Sequence, residues 1–262
     1  MMFTTQLWLA TLLFTAALAL PPNLKSRKLS FGQDLQASLS LDPSLVQIGY
    51  FSDGLSPSSS DGKVASDTSF NNFINHCATR PGVSLTNGEQ VLAGSCSSTP
   101  MGFLAPKNRM PHAKFVFPFN TAVIPPNTTF TIRLAVRNLV TGHFANPDTN
   151  FHAAPQETDP DTGEVIGHSH MALQTIKSLE STEPIDPQVF VLFKGLNEKA
   201  DDKGELSVVV PDGLPDEGFY RLASINSATN HQPALVAVAQ RGPLDDMIYF
   251  EVRKGAKMPQ SP

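Results

Sequence analysis

Along Thr129–Leu139, TFTIRLAVRNL, apolar and polar side chains alternate. Phe130, Ile132, Leu134 and Val136 fall on one side, and Thr131, Arg133 and Arg137 on the other. A period of two is the repeat of a strand with one buried and one solvated face. Phe115, Phe117 and Phe119 alternate with Lys114, Val116 and Pro118 in the same way. The pattern predicts further strands at Val165–Ile176, Val189–Phe193, Leu206–Val210, Phe219–Ile225, Leu235–Gln240 and Met247–Val252. They are separated by clusters such as TDPDTGE and VPDGLPDEG, rich in the residues that turns select. No stretch has a convincing helical period. The predicted fold is therefore all-β, an antiparallel β-sandwich of immunoglobulin-like or jelly-roll type, over residues 70–253.

Asp216-Glu217-Gly218-Phe219-Tyr220 has the spacing of a tyrosine corner, in which the Tyr hydroxyl bonds back to backbone just upstream. Leu222 stands where an antibody domain carries its second cysteine, which excludes a true antibody domain. Before the sandwich, residues 20–69 include the serine-rich stretch Leu55–Ser69 and are expected to form a flexible leader. Residues 254–262 are expected to be a disordered tail.

The first twenty residues change the picture of where the chain works. Leu7 to Leu20 carries no charge and ends in Ala17-Leu18-Ala19, the pattern of a secretory signal peptide over residues 1–19. A membrane span needs about 20 apolar residues, and no other stretch approaches that. The net charge of −5 argues against nucleic acid, whose binders concentrate basic residues on one face. The basic group Lys25, Arg27 and Lys28 reads either as a solvated tail or as processing at Arg27-Lys28. Export makes a Cys77–Cys96 disulfide the default, closing a loop worth roughly 3 kcal/mol. It also exposes the sequon Asn127-Thr128-Thr129 to glycosylation.

Candidate chemistry centres on GHSHMALQ, Gly167–Gln174. In a strand, His168 and His170 stand side by side on one face with Ile166, Ala172 and Gln174. Such a pair supplies two nitrogens to one Zn or Cu ion, and a third ligand must come from elsewhere. His231, in the polar loop NSATNHQP, is the first choice, with His143 and His152 in reserve. The alternative is that the pair is simply strand surface. A blue-copper centre is excluded because no cysteine follows Cys96. A cupin arrangement lacks its carboxylate, since Gln174 occupies that place. Glu157, Asp159, Asp161 and Glu164 offer oxygen donors for calcium, or merely a solvated turn. No nucleophile elbow, P-loop or dinucleotide fingerprint is present, and a triad built on Asp245 or Asp246 has nothing in the sequence to select it.

As a set, FNNFINHC, LTNGEQVLAGSCSSTPMG, KFVFPFN, GHSHMALQ, VFVLFKGL and YRLASINSATNHQPALVAVAQRGPLDDMIYF resemble a family of small secreted fungal proteins with no assigned activity. Some members carry a nominal ribosomal-protein label that an acidic exported chain contradicts. The likeness runs from about Asn71 to Val252, and it implies a fungal extracellular or cell-wall setting without supplying catalytic residues. The leading expectation is an interaction module for a cell-wall polysaccharide or a host surface. The alternative is a Zn- or Cu-dependent enzyme or binding protein on the histidine pair, cupin-like in kind. N-terminal sequencing of exported protein should begin at Leu20 or downstream, and the denatured, unreduced chain should titrate no thiol. Met1 on exported material, or reactive thiols, would refute this.

Overall fold

The computed structural model describes residues 35–55 and 63–260. The expected signal peptide, Arg27-Lys28 and part of the serine run lie outside the described residues. The chain divides into two units, residues 1–74 and 75–262. In the first, the 3₁₀ turns Leu35–Ala37, Pro43–Leu45 and Ile48–Phe51 contain no buried residue. The Asn72 side chain ties two of them locally, donating to the Leu45 carbonyl and accepting from the Gln47 N–H.

Among the described residues, the second unit holds nine strands: β1 His112–Phe117, β2 Val123–Ile124, β3 Phe130–Arg137, β4 Leu139–Val140, β5 Val165–Ile176, β6 Leu192–Leu196, β7 Glu205–Val210, β8 Gly218–Ala228 and β9 Met247–Val252. They form a three-stranded sheet, β1-β3-β7, and a larger one ordered β2-β9-β8-β5-β4, with β6 also paired to β5. Pairing is antiparallel except for the two-residue parallel contacts β2–β9 and β4–β5. The described residues contain no α-helix, so the fold is the all-β sandwich-like class read from the period of two.

Alternation builds the core. On β3, Phe130, Ile132, Leu134 and Val136 are buried while Thr131, Arg133 and Ala135 are only partly so. They join one cluster with Phe115, Phe117, Met171, Leu173, Tyr220, Leu222, Ile248 and Phe250 from the other strands. Burying each such side chain contributes roughly 1.5–3 kcal/mol. The β1 alternation stops at Phe117, because Pro118 has no N–H to continue the ladder.

Two predicted strands differ. In place of Val189–Phe193 the strand is Leu192–Leu196. The Gln174 side-chain amide donates to the carbonyls of Asp186 and Val189, which holds that backbone in a turn. Leu235–Gln240 is not a strand either. Gln156, wholly buried, bonds both the N–H and the carbonyl of Leu235, leaving the segment a single bridge from Ala105 to Val236.

The tyrosine corner is present. The Tyr220 hydroxyl donates to the Asp216 carbonyl at 2.8 Å, and its ring stacks on Phe250 with centroids 5.5 Å apart. Tyr220→Phe keeps the packing and deletes the bond, so urea denaturation should show a loss of about 1 kcal/mol with unchanged slope. An unchanged midpoint would mean the bond contributes nothing to stability.

Candidate metal centre

Strand β5 runs through the larger sheet with β8 on one edge and β4 and β6 on the other. Met171 and Leu173 point into the core, so His168 and His170 lie on the outer face, opposite Ser227 and Ile225 of β8. The chain leaving β8 turns sharply: the His231 N–H donates to the Ala228 carbonyl, and His231 takes a left-handed backbone, φ 73°. Histidine is among the few non-glycine types enriched there. The turn carries His231 back over β5. A second segment, residues 141–152, covers the same face through His143 N–H to Gly167 O, Ala145 N–H to Thr229 O and His152 N–H to Asn230 O.

The result brings three imidazoles together. Ring centroids lie 4.6 Å apart for His168–His170, 4.9 Å for His168–His231 and 6.0 Å for His170–His231. One nitrogen from each ring lies within 4.8 Å of the others, and no Asp, Glu or Cys joins the group among the described residues. Phe144 meets His168 and His231 edge-on, at 4.8 and 4.9 Å, and Phe193 of β6 stacks on His170 at 5.4 Å.

Hydrogen bonding fixes which nitrogens are available. His168 Nδ1 is 3.0 Å from the His143 carbonyl, and His231 Nε2 is 2.9 Å from the Ala145 carbonyl. A carbonyl only accepts, so both nitrogens carry the proton and the opposite nitrogen of each ring keeps its lone pair. On His168 that is Nε2, which is buried and has no hydrogen-bond partner. A ring anchored by one nitrogen and turned inward by the other is how proteins present histidine to a metal.

Electrostatics point the same way. Burial holds the His168 pKa down at about 4, helped by the neighbouring His170 and opposed by the bond to His143. Burial, with His231 beside it, also holds His170 at about 4. Burial likewise lowers His231, against the pull of its Ala145 bond. All three rings are neutral near pH 7, the form that binds metal.

The other candidates fall elsewhere. The His143 side chain is exposed, and its part in the cluster is a backbone carbonyl. His152 stacks on Phe151 at 3.9 Å, outside the trio. Cys77 and Cys96 are joined in a disulfide. Asn127 is exposed in the turn before β3. Asp159 spends its carboxylate on the N–H groups of Asp161 and Thr162, and Glu164 pairs with Arg109, an arrangement that makes a turn. Asp245 and Asp246 accept from the backbone N–H of Asn226 and Phe115 respectively. Sequence reasoning missed the covering Phe144 and the two anchoring carbonyls, since a carbonyl leaves no residue-type signal.

Residues 113–253 match the family described as the CLU5d N-terminal domain. Pathogenicity cluster 5 protein d of Colletotrichum graminicola (strain M1.001 / M2 / FGSC 10212) is 40% identical over 215 residues, which is 82% of this chain. The chain spans only 43% of that relative's length. Among solved structures, the PmoD soluble domain from Methylocystis sp. ATCC 49242 (Rockwell) matches over 55% of this chain and 90% of its own, at 12% identity and a TM-score of 0.28. A likeness that slight bears on neither fold nor function here.

In metal-free protein the histidine pKa values near 4 lie below the 6.5 of an unfolded histidine. Between those values the unfolded chain binds more protons, so this contribution is complete above about pH 6.5 and is lost as pH falls toward 4. Urea midpoints across that window should fall more steeply for the native chain than for the His168→Gln/His170→Gln double variant. Parallel profiles would refute the depressed values.

Proposed function

The chain belongs to the fungal family of the CLU5d N-terminal domain, and we propose that it binds one transition-metal ion, Zn or Cu, on the outer face of β5. The ligands in this reading are His168 Nε2, His231 Nδ1 and one ring nitrogen of His170. The observation that carries it is the buried, unpartnered Nε2 of His168, on a ring that packs against both other imidazoles while Nδ1 is anchored. Leaving such an acceptor unpaired costs about 1–3 kcal/mol, which a bound cation would recover. Three imidazoles without a neighbouring carboxylate or thiol support metal binding rather than a particular reaction.

The site of action in this reading is outside the cell, in keeping with the apolar Leu7–Leu20 segment and the closed disulfide. Attachment to a wall polysaccharide or a host surface has weaker support. Its best platform, the exposed Phe190 and Phe193, has rings inclined at 53° to one another rather than a flat face for a sugar ring.

After dialysis against trace Zn or Cu(II) near pH 7.5, the full chain should retain about one equivalent and His168→Ala essentially none. Metal should also raise the melting temperature of the native chain and leave that of His168→Ala unchanged. Metal-free protein that gains no stability from either ion would overturn the reading.

A further inference from the structure

We propose that the His168–His170–His231 centre is selective for monovalent copper, holding Cu(I) in preference to Cu(II) and Zn. This deepens the metal-binding reading and rests on it. Three features of the pocket lead to it.

The first is charge. All the donors are neutral nitrogens, and among the described residues no carboxylate or thiolate stands with them. A divalent ion would keep its whole +2 charge in the pocket. The cost of removing an ion from water grows with the square of its charge, so a site without anionic ligands penalises a divalent ion far more than a monovalent one.

The second feature is the wall. His168 is fully buried, and partly exposed hydrocarbon groups border the rings: Phe144 meets His168 edge-on, Phe193 lies on His170, and Ile225 stands across from His170 on β8. These hydrocarbon surfaces supply no dipole to replace lost water. An apolar shell of that kind is what raises the potential of a redox metal.

The third is number. Zn centres are built on four ligands, and Cu(II) prefers a tetragonal set. Both would have to complete their shells with water held beside apolar rings that offer it no hydrogen bond. Cu(I) has a filled d shell and no such demand, so three imidazoles can complete its shell. The anchoring bonds to the His143 and Ala145 carbonyls limit how far the rings can rearrange for a fourth ligand.

The test uses the full chain. Cu(I) affinity is measured under ascorbate by competition with bathocuproine disulfonate, Cu(II) affinity by competition with nitrilotriacetate, and Zn by displacement. Cu(I) should bind at least about a hundredfold more tightly than Cu(II), which places the bound couple about 118 mV above aqueous copper at 59 mV per tenfold. Cu(I) should also displace bound Zn. Ile225→Asp sets a carboxylate opposite His170 at a half-exposed position and should cut the Cu(I) preference by about tenfold, mainly through tighter Cu(II). If that variant does not fold, Phe193→Asp brings the same charge from β6. Equal or tighter Cu(II) binding, or a preference unmoved by a folded carboxylate variant, would overturn the selectivity and leave the metal site standing. Failure to bind copper in either state and Zn as well would overturn the site itself.

Discussion

Strand β5 is covered on both of its faces, and much of the second unit is arranged around that constraint. Inward, Met171 and Leu173 complete the apolar core between the sheets. Outward, the same strand carries two imidazoles, one of them fully buried. A buried imidazole must place its N–H on an acceptor. The segments flanking β5 in space therefore bend over it and offer the carbonyls of His143 and Ala145. Their own amides return to Gly167 and Thr229, which locks cover to sheet. Gly167 permits this packing: a Cβ there would collide with the Ser227 carbonyl of β8, and only glycine lets the strands close.

Outside the sheets, side-chain amides do what ladders do inside them. Gln156 bonds the Phe103 and Leu235 carbonyls and the Leu235 N–H, and Gln174 holds Asp186 and Val189. These two residues mark where sequence reading and structure part. The strands at Thr129–Leu139 and Met247–Val252 were legible because burial there follows a period of two, a property local to the chain. Leu235–Gln240 has the composition of a strand, but its backbone groups are claimed by a side chain distant in sequence. No window centred on residue 237 contains that information.

The site was legible in part, for the same reason. His168 and His170 share a face by strand geometry alone, so their adjacency could be read directly. That His231 completes the trio depends on a turn at the end of β8 and on a cover segment from before β5, both set by tertiary contacts. The polar loop around His231 marked it as a candidate, but nothing in the sequence separated it from His143 and His152. The structure separates them by which atom each turns inward: His231 presents a ring, His143 a carbonyl, and His152 a face stacked on Phe151.

His231 pairs an unfavourable backbone with its inward ring. Its left-handed φ of 73° costs a non-glycine residue about 1–3 kcal/mol, and glycine would adopt it freely. At this position, chain preference and side-chain chemistry therefore pull in opposite directions. A change to glycine would relax the turn, leave the strands of the sandwich untouched and remove one of the three imidazoles. The most comfortable residue for this backbone is thus one that could not form the trio.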